Sequence, residues 1–193
     1  PPRRLGVIKE LWGQAASLVE STSGFLDLLG ERRSPSQLVH VNDAVATILR
    51  LSKANLEGNN ITVVRELARD LPTVRINKLE LVEVLGNLVS NAIRAMANRS
   101  TKVLTLRTST TSEGKGVLIS VTDSGTGIGR DIEHRIFTPR FTRHAASGGA
   151  GLGLHTSKDL IETTYGGQLT LGEHKVGKGS TFHVVLPTAR EDH

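Results

Sequence analysis

The chain has 193 residues, of which 37% are hydrophobic and 22% charged, proportions typical of a globular protein with room for one domain and an appendage. It has no cysteine, which excludes disulfides, thiolate metal sites and thiol nucleophiles. The net charge of +5 is scattered and only 3% of the residues are aromatic, so we predict no nucleic-acid partner. No apolar run approaches the roughly 20 residues that span a bilayer. We therefore expect no membrane segment in this chain and a cytoplasmic location.

The first thirty residues follow the pattern of a bundle helix. Mostly apolar residues recur at alternating spacings of four and three, a heptad seam that predicts a helix packed lengthwise on others. A single amphipathic helix lying on its own domain is the alternative. Gly30 and the polar run 31–36 predict a hinge, so we divide the chain into residues 1–33 and 34–193. The seam consists of Ile8, Trp12, Ala15, Val19, Thr22, Leu26 and Leu29.

Beyond the hinge, helical patterns are mixed with hairpin patterns. Asn77 and Glu80 predict a capping box at the start of the longest helix. Because helices and strands do not alternate strictly, we predict the α+β class, a two-layer sandwich of helices over a mixed, mostly antiparallel sheet. The predicted helices are 42–53, 78–97, 131–136 and 152–164. The predicted strands are 61–66, 74–76, 102–110, 116–122, 168–172 and 180–186.

The longest predicted helix carries a polar stripe on an otherwise apolar surface. Glu83, Asn87 and Asn91 are four residues apart and therefore share one face of the helix. An amide oxygen is a suitable ligand for Mg²⁺, which prefers octahedral oxygen coordination and usually shares it with substrate phosphates. The alternative is a structural asparagine ladder whose amides are bonded to the backbone.

A second cluster follows the predicted strand 116–122. The strand delivers Asp123 into a turn that contains Gly125, Gly127 and Gly129, and glycines let a ligand approach the backbone closely. A buried carboxylate can accept a hydrogen bond from the exocyclic amine of adenine, whereas guanine presents an oxygen there. Asp123 therefore predicts an adenine site. The alternatives are a plain tight turn, a dinucleotide fingerprint with the wrong last gap, and the Asp-Ser-Gly-Thr pattern of a dimeric aspartic protease.

A third cluster, 147–154, is rich in glycine and opens the last predicted helix. Backbone N–H groups at a helix N-terminus offer hydrogen bonds and partial positive charge to phosphates. The cluster lacks the Gly-Lys-Ser/Thr ending of a P-loop. A flexible loop with no ligand is the alternative.

Together the three clusters carry a resemblance to a known family. The segments N-L-V-S-N-A, D-S-G-T-G-I and G-A-G-L-G-L resemble the N box and the two glycine boxes of the gyrase, chaperone, histidine kinase and mismatch-repair ATPase superfamily, which has the Bergerat fold. Residues 136–142 look like the F box of histidine kinases, and residues 177–187 look like their closing strand. Residues 1–33 are similar to the second helix of their dimerisation and phosphotransfer domain. The resemblance implies a histidine-kinase catalytic domain.

The resemblance also implies a role for each matching residue. Asn91 would coordinate Mg²⁺ with Asn87 as its neighbour one turn back, and Arg94 would contact phosphate. Asp123 would bind adenine, helped by Thr181 through the water network of the aspartate. Residues 137–150 would form the ATP lid. Further nucleotide contacts are implied for Gly125, Gly127, Ile128, Gly149, Gly151, Leu152, Gly153 and Leu154.

The chain departs from the family pattern at a few positions. The F box often ends in threonine, threonine and lysine, whereas this chain has Thr142, Arg143 and His144, so we expect Arg143 to supply the cation near the γ-phosphate. Ala95 stands where a tyrosine beside the adenine is common. Glu83 is a weak candidate for a general base, because the acidic catalytic partner of the family usually adjoins the phosphorylated histidine.

The predicted function is the ATP-binding catalytic domain of a two-component sensor histidine kinase. It would transfer the γ-phosphate of Mg²⁺-ATP to a histidine outside this chain, because none of its seven histidines has the acceptor context of the family. The expected partners are a second copy, through the N-terminal helix of the full-length protein, and the receiver domain of a response regulator. The alternatives are an anti-sigma-type serine kinase, an ATP-gated chaperone or gyrase fragment, and a dimeric aspartic protease using Asp123.

Overall fold

The structure is a computed structural model that describes residues 36–139, 141 and 152–189. The predicted N-terminal helix and most of the predicted lid lie outside the described residues. The same is true of three predicted site residues, Arg143, Gly149 and Gly151. The division of the chain at residue 33 therefore stays a prediction.

The described residues contain seven β-strands and four α-helices. The strands are β1 (Gln37–Val39), β2 (Thr62–Leu67), β3 (Val74–Ile76), β4 (Val103–Thr110), β5 (Gly116–Asp123), β6 (Gln168–Lys175) and β7 (Gly179–Pro187). The helices are α1 (Val41–Leu51), α2 (Lys53–Gly58), α3 (Lys78–Ala95) and α4 (Gly153–Asp159). A 3₁₀ turn covers Glu133–Arg135, and a π-helical turn, Leu160–Thr164, continues α4.

Five strands form the main sheet, in the order β2-β4-β5-β7-β6. The pairs β4–β5, β5–β7 and β6–β7 are antiparallel, and β2 runs parallel to β4. β1 and β3 form a separate antiparallel pair. The predicted α+β class, with helices and a mixed, mostly antiparallel sheet, is confirmed.

The core lies between one face of the sheet and the helices. Alternation along β5 buries Val117, Ile119 and Val121, each at most 2% exposed. From the opposite layer, α3 contributes Leu81, Leu85, Leu88 and other buried residues, and α3 contacts α1, α4 and β5. Each fully buried leucine contributes about 1.5–3 kcal/mol to folding. Because α3 is fixed by this apolar face, its polar stripe is fixed as well.

Asn77 caps the N-terminus of α3, but Tyr165 lies between its N–H and Glu80, where the predicted capping box would have a direct hydrogen bond. The side chain of Asn77 accepts a hydrogen bond from the N–H of Leu79 at 2.8 Å. The backbone N–H of Asn77 donates to the hydroxyl of Tyr165 at 3.2 Å, and that hydroxyl donates to the carboxylate of Glu80. Burial and the neighbouring carboxylate raise the pKa of Tyr165 to about 12. Tyr165 thus links α3 to the chain segment before β6.

The structure differs from the sequence prediction in several elements. The predicted helix 42–53 ends at Leu51 and a second short helix, α2, follows, while the predicted helix 131–136 is only a 3₁₀ turn. β6 continues past residue 172 because the chain crosses a bulge between Leu171 and His174 and pairs again with β7. β1 was not predicted, since a three-residue strand carries no periodicity and forms only by pairing with β3. Within the described part of the chain, no helix has the length and hydrophobicity to cross a membrane.

Candidate functional site

Asp123 lies at the end of β5, where the strand enters the glycine turn. Asp123 is only 5% exposed, and one of its carboxylate oxygens accepts a hydrogen bond from the N–H of Gly125 at 2.7 Å. Burial raises the pKa of Asp123 from its ordinary value of 3.8 to about 6, although backbone hydrogen bonds from Gly125 and Ser180 act in the opposite direction. A buried carboxylate whose pKa is raised, at the end of a strand, is a candidate for ligand binding.

The glycines that follow Asp123 are required by the packing of the turn itself. A Cβ on Gly125 would lie 2.7 Å from atoms of Ala95, at the end of α3. Gly127 has a φ of +71°, and a Cβ there would lie 2.1 Å from the carbonyl oxygen of Lys175. The turn is therefore pressed between α3 and the β6–β7 hairpin. The predicted contacts of these two glycines with a base stay predictions, because close protein contacts already explain why both are glycine.

The strand register places Ser180, and not Thr181, beside Asp123. Ser180 is the register partner of Asp123 across β7 and β5 and is 4% exposed. Thr181 pairs with Thr122, and their hydroxyls are 3.0 Å apart. Because neighbouring residues of a strand point to opposite faces, Thr181 points away from the face that carries Asp123. The structure thus places Ser180 and not Thr181 next to the aspartate, and the adenine contact implied for Thr181 stays a prediction.

The polar stripe of α3 faces α4. The side-chain amide of Asn87 donates to the hydroxyl of the buried Ser157 at 3.0 Å and approaches the carbonyl of Gly153 at 3.5 Å. A Cβ on Gly153 would lie 3.2 Å from the Asn87 amide, a tight contact with a side chain. Asn87 therefore fixes the start of α4. Glu83 lies half-buried on the same face, one turn before Asn87.

One turn further along α3, Asn91 is bonded to a cation. Its amide oxygen accepts a hydrogen bond from a guanidinium nitrogen of Arg94, whose other terminal nitrogen donates to Ser90 at 2.9 Å. Asn91 and Arg94 are both half-buried. The amide oxygen of Asn91 is therefore occupied by the guanidinium of Arg94, which a metal ion bound to that oxygen would have to displace.

The predicted lid, 137–150, begins at a described residue, and the described chain resumes at Leu152. At the start of the lid, the ring of Phe137 is perpendicular to that of Phe182, with 6.3 Å between centroids, and the ammonium of Lys158 lies 4.8 Å from the centroid of the Phe137 ring. The carbonyl of Phe137 is 3.1 Å from Nδ1 of His155. Beyond the lid, Leu152 is 45% exposed, whereas Leu154 packs on the core, as does Ile128 within the glycine turn. Sequence analysis did not foresee the contact of His155 with Phe137.

Comparison with known proteins defines the family. Residues 76–190 match the family model described as "Histidine kinase-, DNA gyrase B-, and HSP90-like ATPase", which is more than half of the chain. The chain therefore belongs to this ATPase family. It is 36% identical over 175 residues to the sensor histidine kinase ZraS of Escherichia coli strain K12, covering 90% of this chain and 36% of that protein. It is 30% identical over 177 residues to the sensor protein TdiS of Thauera aromatica, covering 90% of this chain and 31% of that protein.

Solved structures give the same result. The chain is similar to the catalytic domain of histidine kinase ThkA, with a TM-score of 0.69 and 25% identity over 80% of this chain and 98% of that domain. Within the ATPase family, this chain is therefore an ATP-binding catalytic domain of the sensor-histidine-kinase type. The serine-kinase, chaperone and protease alternatives are not favoured. The chain spans about a third of the length of the two curated relatives.

Proposed function

We propose that this chain binds Mg²⁺-ATP and transfers its γ-phosphate to a histidine that lies outside the chain. The observation that carries this proposal is Asp123, a buried carboxylate with a raised pKa at the mouth of a glycine turn, in a chain of the histidine-kinase ATPase family. The ionised carboxylate accepts a hydrogen bond from the exocyclic amine of adenine, whereas guanine would place an oxygen against it. Ser180, the register partner of Asp123, is the neighbour best placed to support this contact.

The polar face of α3 fits the phosphate end of the ligand. The amide oxygen of Asn91 accepts from the guanidinium of Arg94, which a metal ion bound to that oxygen would displace. When bound there, Mg²⁺ would neutralise phosphate charge. Arg94 is then available to contact phosphate oxygens, for which its planar fork of donors is well suited. Gly153 and Leu154, together with the lid residues that precede them, complete the proposed site.

Catalysis in this arrangement consists of positioning and charge neutralisation. Asp123 fixes the base, and Asn91 and Arg94 fix the phosphates. The donors and cations near the γ-phosphate would stabilise the charge that spreads over its oxygens during transfer. None of these residues forms a covalent bond, so the acceptor histidine must be held in line by another part of the protein. We place that histidine on a bundle helix preceding this chain, with homodimerisation through residues 1–33 and a response-regulator receiver domain as the next phosphate acceptor.

Calorimetry with ATP, ADP and GTP, with and without Mg²⁺, tests the binding proposal. We expect ATP to bind more tightly with Mg²⁺ and GTP to bind at least about tenfold more weakly, because it presents an oxygen to Asp123. Equal affinity for ATP and GTP would reject the role of Asp123.

Labelling with γ-labelled ATP tests the transfer proposal. We expect no label on this chain alone, and acid-labile label on a longer version that includes the preceding bundle helix. In-line positioning of an acceptor can be worth roughly 7–11 kcal/mol of barrier, which a surface histidine does not receive. Acid-labile labelling of the chain alone that is lost in His155→Ala would instead make His155 the acceptor.

A further inference from the structure

Two histidines contact the segment that leads from the glycine turn to the lid. This segment, residues 133–137, is called the entry segment here. At its start, the carboxylate of Glu133 is 2.9 Å from Nε2 of His174, which lies on β6. At its end, the carbonyl oxygen of Phe137 is 3.1 Å from Nδ1 of His155, which lies on α4. The entry segment is thus held from two different elements.

The bond made by His155 does not depend on the charge of its ring. A backbone carbonyl can only accept a hydrogen bond, so Nδ1 must carry the hydrogen. The neutral ring can carry a hydrogen on Nδ1, and the protonated ring always does. Lys158 lies above the ring of Phe137, and the ring of Phe182 is perpendicular to that ring. The end of the entry segment is therefore held by side chains of α4 and β7.

His174 makes two hydrogen bonds through its ring. Its Nδ1 is 2.8 Å from the carbonyl oxygen of Gly172, and its Nε2 is 2.9 Å from the carboxylate of Glu133. Both partners are acceptors, so both bonds are formed when both ring nitrogens carry hydrogens. The side chain of His174 is 19% exposed, so water competes little for these bonds. The start of the entry segment is therefore held from β6.

The β6 bulge places His174 in line with the adenine-binding aspartate. After the register shift, His174 pairs with Ser180, and Ser180 in turn pairs with Asp123. The three residues therefore form a row across β6, β7 and β5, spanning two strand spacings or roughly 10 Å. Without the bulge, the side chain of His174 would point to the other face of the sheet. The bulge therefore directs this histidine toward the entry segment, beside the proposed base site.

We propose that His155 and His174 are positioning residues for ATP binding, which hold the entry segment between the adenine site and the lid. His155 does so through the carbonyl of Phe137, and His174 does so through the carboxylate of Glu133. This inference rests on the proposed ATP site. Loss of either contact releases one end of the entry segment, so ATP affinity is expected to fall.

The test is the affinity for Mg²⁺-ATP, measured by calorimetry. His174→Ala should bind ATP about threefold to tenfold more weakly, the scale of one lost hydrogen bond. His174→Gln keeps a donor in the place of Nε2, so it should restore binding.

The corresponding variants of His155 should behave in the same way. His155→Ala should weaken ATP binding by about threefold to tenfold, and His155→Asn should restore it because the asparagine amide can replace Nδ1. His134, an exposed histidine of the same segment, provides the control, and His134→Ala should match the wild type. Melting temperatures establish whether each variant is folded. If an Ala variant does not fold, the Gln and Asn variants decide the test.

The outcomes separate this inference from the proposed function. A wild-type chain that binds no ATP rejects both. A wild-type chain that binds ATP, together with unchanged affinity in His174→Ala or no recovery in His174→Gln, rejects the role of His174 alone. Unchanged affinity in His155→Ala rejects the role of His155 alone.

Discussion

The two ends of the candidate site are built in different ways. At the proposed adenine end, around Asp123, backbone atoms leave no space for a side chain: a Cβ on Gly127 would lie 2.1 Å from a carbonyl oxygen of β6, and one on Gly179 would lie 1.8 Å from the carbonyl oxygen of Asp123. At the proposed phosphate end, on α3, the contacts are between side chains. Asn87 bonds to α4, and Asn91 bonds to Arg94.

This difference separates parts of the site that the fold forms in advance from parts that a ligand must rearrange. The sheet holds Asp123 and its turn in place whether or not a ligand is bound. Burial of the carboxyl destabilises its ionised form, which is why its pKa is raised. Arg94 occupies the oxygen of Asn91 that a metal ion would use, so the two cannot bind it together. Changes to the glycines at the adenine end should therefore reduce stability, and changes to Asn91 at the phosphate end should reduce binding alone.

The largest effect is expected for Gly127→Ala at the adenine end. The new methyl group meets a backbone carbonyl and the residue keeps a positive φ, so we expect a loss of about 2–5 kcal/mol in the free energy of unfolding. Gly114→Ala is the matched control, because Gly114 has a φ of +68° with no atom within 4 Å of the added Cβ. It should lose only about 1 kcal/mol. Equal losses in denaturant titrations would show that the turn is not as tight as described.

At the phosphate end, Asn91→Ala should change binding without changing the fold. We expect its Mg²⁺-dependent ATP affinity to fall at least about tenfold, the scale seen when a metal site is disturbed. Its melting temperature without ligand should stay close to that of the wild type, because Asn91 is half-buried and bonded to a neighbour on its own helix. Leu85→Ala, on the buried face of α3, should show the reverse and lose about 2–5 kcal/mol of stability. If Asn91→Ala unfolds the chain, the asparagines are a structural ladder instead.

Asp123→Asn separates ligand recognition from stability at the adenine end. Asparagine can keep the bond from Gly125 through its oxygen, but its amide then presents a donor to the adenine amine. We expect ATP affinity to fall by about 1–3 kcal/mol. The same variant should be more stable than the wild type at neutral pH when no ligand is bound.

The sign of the stability change follows from proton linkage. The folded state binds the Asp123 proton more tightly than the unfolded state does, because its pKa is about 6 and not 3.8. Stability from this group is therefore greatest below pH 3.8 and is lost as pH rises through about 6. A difference of about two in pKa corresponds to on the order of 3 kcal/mol, so Asp123→Asn should gain about 1–3 kcal/mol at neutral pH and little at acid pH.

The same contrast explains what could be predicted from the sequence. The buried face of α3, strands β4 and β5 and the position of Asp123 follow from periodicity and local chemistry, and the structure contains them at nearly the predicted residues. The β6 bulge, strand β1 and the contacts of His155 and His174 depend on pairing between distant residues, which no local pattern encodes. The roles of the individual site residues stay predictions, and those of Arg143, Gly149 and Gly151 lie outside the described residues.

The smallest effect concerns the register of β7. The family resemblance pointed to Thr181 as the hydroxyl beside the adenine, whereas strand pairing places Ser180 opposite Asp123 and Thr181 opposite Thr122 on the other face of the sheet. We therefore expect Ser180→Ala to weaken ATP binding by about 0.5–1.5 kcal/mol, the net value of one hydrogen bond. Thr181→Val, which keeps the β-branched shape, should leave affinity unchanged. Calorimetry on the two variants compares adjacent residues of one strand, so a loss of affinity in Thr181→Val alone would mean that the base is held from the opposite face or that the register is shifted by one residue.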